Sequence, residues 1–161
     1  MSTTPMMEVV PTNTPPVSEE YQLVHIPPEN LRDWWPIILE GVVLCQKHDS
    51  GNPIPEDLYW FLKTNYATLY IGLNGGEYAG FVILQKVENT FDNVPVLHIW
   101  HAYNSDKRRV SVSWALDEIV AMARQMGAGK VTLEHSSLSI VKWGEQHGFT
   151  VAGVKLAKEL K

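Results

Sequence analysis

Three strand-like runs follow one another in the middle of the chain, ATLYIGL, YAGFVILQKV and PVLHIWHAYN, with no helical period between them. NGGE separates the first two, and Asn74-Gly75 is expected to supply the positive φ angles that a tight hairpin turn requires. Strands joined by so short a turn pair antiparallel, because a parallel pair needs a crossover of a dozen residues or more. Whatever the chain folds into is built around this hairpin.

Helical and strand-like segments alternate on both sides of it. YQLVHI alternates in hydropathy and stops at Pro27-Pro28, which reads as a first strand. Apolar residues then recur at Leu31, Trp34, Trp35, Ile38, Val42 and Cys45, a helical spacing. Pro36 falls inside it, and the sequence is accommodated if Asp33 caps a helix whose first turn contains Pro36, with a short turn upstream. A second helix opens at Pro55, with Glu56 and Asp57 at its positive end and Leu58, Phe61 and Leu62 on one face. Beyond the three central strands, the spacing predicts a helix from about Val112 to Met126 that buries Val112, Ala115, Leu116, Ile119 and Ala123 and stops at Gly127 and Gly129. KVTLEH reads as a strand, SSLSIVKWGEQH as a short helix, and FTVAGVKLAKEL as a last strand or strand pair. The expected order is β-α-α-β-β-β-α-β-α-β. Residues 1–20, MSTTPMMEVVPTNTPPVSEE, show no period and read as a flexible arm ahead of a single domain over 21–161; Met6, Met7, Val9 and Val10 give the arm a means of ordering on a protein partner.

Composition narrows the function classes. With 161 residues and 45% hydrophobic side chains, the chain suffices for one domain with a sizeable core. A net charge of -5 argues against general binding to nucleic acid or membrane surfaces, which needs a positive face to displace counterions, so any basic site is local. Cys45 is the only cysteine, which excludes an intrachain disulfide and a Cys-rich zinc site. The first basic residue is Arg32, and no apolar run approaches the ~18 residues of a spanning helix, so a soluble, cytoplasmic protein is expected. NGGEYAG leads from strand to strand, which makes Gly75 and Gly76 turn residues instead of a phosphate cradle.

The local basic segment is DKRRVSVS, residues 106–113, lying between the third central strand and a predicted helix. That placement, together with the strand and helix order and the Gly148-Phe149 pair after the last helix, resembles the GNAT superfamily of N-acetyltransferases over residues 21–160. The resemblance implies an α/β (α+β) acyl-CoA N-acyltransferase fold, with a central mixed, mostly antiparallel sheet flanked by about four helices. It implies acetyl-CoA as the acyl donor and a small amine or a protein amine as acceptor. The family holds the donor's pyrophosphate on a loop of form [Gln/Arg]-x-x-Gly-x-[Gly/Ala], where helix-start amides offer unpaired donors and the positive end of the macrodipole. Here the pattern reads Arg108-x-x-Ser111-x-Ser113. Arg108, Arg109, Ser111, Val112 and Ser113 are therefore the expected cofactor-binding residues. Both family glycines are serine, which keeps the amides and adds Cβ bulk.

Two further positions depart from the family. Ser137 stands where an Asn often opens the last helix, and Gly144 where a Tyr often protonates the departing thiolate. For the base that strips the amine, His98 and His101 on the third central strand and Glu134 on the strand after it are the candidates. Alternation places Val96, His98, Trp100 and Ala102 on one face and Leu97, Ile99, His101 and Tyr103 on the other. Two histidines on opposite faces make no metal pair, and no metal is expected. Trp34, Trp35, Tyr59, Trp60 and Phe61 lie on the early helices that in the family wall the acceptor site, or else fill the core. Two functions stand: a CoA-dependent N-acetyltransferase, or a GNAT-like protein that has lost catalysis and serves binding or assembly, as acetyltransferase-like proteins of tailed phages do, which would place it with the virion. The sequence leaves the oligomeric state open.

Overall fold

In the computed structural model, which describes residues 21–46, 54–88, 91–105, 110–134, 138–154 and 156–160, β2 (Thr68–Asn74) turns directly into β3 (Glu77–Glu88). The positive φ angles belong to Gly75 and Gly76, +59° and +86°, one residue later than the sequence suggested. Two adjacent left-handed residues match the twist of the flanking strands, and glycine takes that conformation without a Cβ penalty. β4 (Pro95–Asn104) pairs antiparallel with β3, and β1 (Tyr21–Ile26) antiparallel with β2. β5 (Lys130–Leu133) lies parallel to β4, giving the order β1-β2-β3-β4-β5. The sheet is thus mixed and mostly antiparallel, as the fold class implied.

Among the described residues, four α-helices cover the sheet. A 3-10 turn at Pro28–Asn30 runs straight into α1 (Leu31–Gln46), so Asp33 lies in the first turn instead of capping it, and Pro36 falls inside the helix. Its ring removes the bond to the Arg32 carbonyl, but both residues are exposed, so water can take the carbonyl. α2 (Pro55–Lys63) starts at its proline, with Glu56 and Asp57 in the first turn and Lys63 in the last, each suited to the dipole. α3 (Val110–Gln125) connects β4 to β5, and α4 (Leu138–Gln146) follows β5. At the end of α3, Gly127 takes a φ of +77°, while the Ala128 amide donates to the Ala123 carbonyl at 2.9 Å, a glycine-terminated cap.

Each face of the sheet has its own core. On one, Leu31, Ile38, Val42, Leu58 and Leu62 of α1 and α2 cover Leu69, Ile71, Phe81 and Ile83. On the other, Leu116, Ile119 and Ala123 of α3 cover Val82, Leu84, Leu97 and Ile99, with Trp143 and Phe149 at the margin. Burial on both faces is why YAGFVILQKV reads as a nearly continuous apolar run.

The chain after Phe149 departs from expectation. Its described residues form no strand, and Val151, Val154, Leu156 and Leu160 are 62%, 80%, 90% and 89% exposed. A strand exists only where its backbone groups are paired, and none of the described residues pairs this segment. The predicted arm, residues 1–20, lies outside the described residues.

Candidate functional site

β4 contains one residue too many. Ile83 of β3 faces His101 and Leu84 faces Ile99, which leaves Trp100 without a counterpart. Such a bulge reverses the alternation of everything after it. Ile99 belongs to the α3 core, whereas Trp100 and Tyr103 pack with the α1–α2 core, and His101 pairs with Ile83 of that same core. His98, by alternation from Ile99, is also on the α1–α2 side. The expectation of one histidine per face is therefore overturned, since the bulge puts both on one face. The alternation argument against a metal pair falls with it; among the described residues, no group of three or more His, Cys, Asp or Glu side chains gathers to hold a metal.

The bulge coincides with the end of another pairing. β5 accompanies β4 from Val96 to Ile99, opposite Lys130 to Leu133, where β5 ends while β4 continues to Asn104. The crevice outside the carboxyl ends of parallel strands is where open sheets take ligands. Three groups on the neighbouring elements are candidates to line such a crevice.

His98 is the first. Its Nδ1 lies 2.8 Å from the Thr132 hydroxyl, a contact that ties β4 to β5 one rung before their pairing ends and fixes the ring. Partial burial lowers the His98 pKa, and the Glu134 carboxylate pulls it back only in part. The imidazole is thus neutral near pH 7 and able to accept a proton. Glu134 lies just past the end of β5 instead of on it, and is exposed. His101 is 6% exposed, with its ring 5.7 Å from that of Trp100, as expected of a packed core histidine.

The first turn of α3 is the second. The helix begins at Val110, two residues ahead of the predicted start, so Ser111, Val112 and Ser113 all lie inside the first turn and neither serine is an N-cap. The first four amides of a helix have no partner within it, so this turn presents the donors on which an anion can rest. Arg108 and Arg109 lie outside the described residues.

The third group was not evident in the sequence. His147, just past α4, donates from Nδ1 to the Trp143 carbonyl at 2.8 Å, which leaves Nε2 to accept from the Ser113 hydroxyl at 3.4 Å. Its ring stacks on Trp143 with centroids 4.5 Å apart. The four-residue spacing of Trp143 and His147 was the available signal.

The aromatic wall divides. Phe61 reaches across to Trp100 with ring centroids 5.4 Å apart, and Trp35 meets Tyr59 edge-on at 5.0 Å. Between α1 and α2, Arg32, Trp35, Leu39, Glu56 and Tyr59 line a cavity of about 460 Å³. Trp60 is 59% exposed.

This architecture recurs in solved structures. An aminoglycoside acetyltransferase from an uncultured soil metagenomic sample, in complex with sisomicin, superposes with a TM-score of 0.65 at 14% identity, covering 90% of this chain and 99% of that one. The ribosomal-protein-alanine N-acetyltransferase of Brucella melitensis biovar Abortus 2308 gives 0.65 at 15%, covering 88% and 99%. A predicted acetyltransferase with acetyl-CoA from Clostridium acetobutylicum gives 0.64 at 15%, covering 86% and 96%. The chain has the GNAT fold. No family model and no curated protein sequence matches it. Gly144, which the sequence resemblance set at the position of the family's acidic Tyr, is buried against Phe149, whose Cβ would lie 3.5 Å from an added methyl. No helix of the described residues is long and apolar enough to cross a membrane.

Proposed function

We propose that the chain is a CoA-dependent N-acetyltransferase whose general base is His98. The observation that carries this reading is the bulge of β4 at Trp100, just past the last rung that β5 shares, with the His98 imidazole held by Thr132 two residues before it and kept neutral by burial.

The residues suit the donor. The unpaired amides of Ser111, Val112 and Ser113 receive the diphosphate, and Arg108 and Arg109 add charge from the preceding segment. The serines are helical, so no positive φ is demanded of them. When bound, acetyl-CoA supplies the acyl group as a thioester. His98 then takes a proton from the acceptor amine at Nε2, with Nδ1 held by Thr132. Because Gly144 offers no proton and the Nδ1–H of His147 is held by the Trp143 carbonyl, water would supply the proton to a departing thiolate. A net charge of -5 favours a cationic amine as acceptor.

Acetyl-CoA at about 100 times its dissociation constant stabilises by ~2.7 kcal/mol. For a domain of this size, the melting temperature should rise by ~5–10 °C. No rise at millimolar acetyl-CoA would sink the proposal. Arg108→Ala combined with Arg109→Ala is expected to remove most of the rise, and a rise left intact would move the phosphate site elsewhere. A second reading, a binding module without catalysis, is favoured by Gly144 alone. It predicts the thermal rise, or none, with no amine acetylated.

A further inference from the structure

We propose that the cavity between α1 and α2 binds a free α-amino acid with a large apolar side chain, at a site separate from the one beside His98. Its volume of about 460 Å³ falls within the ~300–1,000 Å³ of small-molecule sites. The walls are mainly apolar, formed by Trp35, Pro36 and Leu39 of α1 and Pro55 and Tyr59 of α2. The Trp35 and Tyr59 rings stand at 79° to each other, a corner against which a further apolar group can pack. An α-helix turns ~100° per residue, so Tyr59 and Phe61 project ~200° apart. Phe61 is the residue that meets Trp100 on β4, and the cavity therefore lies on the opposite flank of α2 from the bulge.

Two charges of opposite sign line the same cavity, Arg32 from α1 and Glu56 from α2. Among the described residues they form no ion pair with each other or with any other side chain. Opposite charges that share a cavity without meeting leave room between them for a molecule carrying both signs. The guanidinium fork suits a carboxylate, and the Glu56 carboxylate accepts from an ammonium. Pro36 supplies a further acceptor on this wall. Lacking an amide proton, it leaves the Arg32 carbonyl without its helical donor, and both residues line the cavity. Pro36 belongs to neither core, so packing of the sheet does not account for a proline inside α1. A ligand with one charge would answer only one of these groups. An α-amino acid answers both and places its side chain in the Trp35–Tyr59 corner. The inference is independent of acetyl transfer.

Titration calorimetry on the full chain with L-phenylalanine is expected to show saturable, one-to-one binding. Phenethylamine lacks the carboxylate and 3-phenylpropanoate lacks the ammonium, and each should bind at least ~tenfold more weakly, the effect of a lost hydrogen bond between charged groups. Glycine, which lacks the apolar body, should not saturate the site. Arg32→Gln is expected to weaken phenylalanine ~tenfold without weakening phenethylamine, and Glu56→Gln to weaken phenylalanine as much without weakening 3-phenylpropanoate. Both side chains are exposed, so the variants should fold. No binding at ~10 mM phenylalanine overturns the proposal. Binding that neither substitution alters also overturns it, because the ligand then sits elsewhere. Phenethylamine binding as tightly as phenylalanine overturns it too, since a site for amines alone is what the acetyl acceptor requires, and that result would leave the acetyltransferase reading standing.

Discussion

Replacing His98 with glutamine is expected to lower the turnover for amine acetylation by ~10²–10⁴-fold, the usual contribution of a positioned base. Glutamine is close to histidine in length and can still bond the Thr132 hydroxyl, so the fold and the rise in melting temperature with acetyl-CoA should persist. The pH dependence has a definite sign. Burial disfavours the imidazolium, so the folded pKa lies below the ordinary histidine value of 6.5. Activity should therefore be full near neutrality and fall with an inflection below that value, an arm absent from His98→Gln. Stability follows the same direction. The unfolded chain takes up the proton first as pH drops, so this contribution is complete above about 6.5 and is lost as pH falls toward the folded pKa. A glutamine variant within threefold of wild type would remove His98 as the base and leave Glu134, beyond the end of β5, as the next to be changed.

Gly80→Ala should be among the most damaging single substitutions in the sheet. An added Cβ would overlap the carbonyl oxygen of Tyr103 on β4, and it would lie 3.1 Å from the Asn104 Cα. Both are backbone atoms, which have no rotamer by which to yield. The strands are also pinned at this end, since the Ser105 amide donates to the Ala79 carbonyl at 2.8 Å. Overpacking of this sort costs about 3 kcal/mol. In a chain of this length that should lower the melting temperature by ~6–12 °C. A loss below ~2 °C would show that β3 and β4 can part at the site without consequence. Because β4 is the strand that bulges at Trp100, the variant should also lose acetylation activity beyond what reduced folding explains.

Much of the fold was legible because periodicity and turn chemistry agree along most of the chain. The hairpin, the existence of a strand after α3 and the proline start of α2 all follow from residues within one element. What escaped depended on partners. The start of α1 at Leu31 was hidden because a 3-10 turn feeds it, so Pro36 became an interior residue. The bulge at Trp100 leaves no mark in PVLHIWHAYN, whose pattern is compatible with unbroken alternation, and only the register against Ile83 and Leu84 reveals it. His98 could be named from the strand, but its bond to Thr132 joins residues 34 apart. His147 was overlooked for the same reason: its relation to Ser113 is one of space. The last strand expected from FTVAGVKLAKEL does not form among the described residues, because a pattern becomes a strand only beside an edge that pairs it.

The short union of β4 with β5 also bears on the order in which the molecule comes apart. β2, β3 and β4 are neighbours in sequence and pair over most of their lengths, whereas β5 is joined only from Val96 to Ile99 and is reached through a whole helix. Local openings tend to follow such seams, with free energies well below that of global unfolding. The unit comprising β5 and α4 should therefore detach before the meander loosens, and the crevice doubles as the molecule's hinge line.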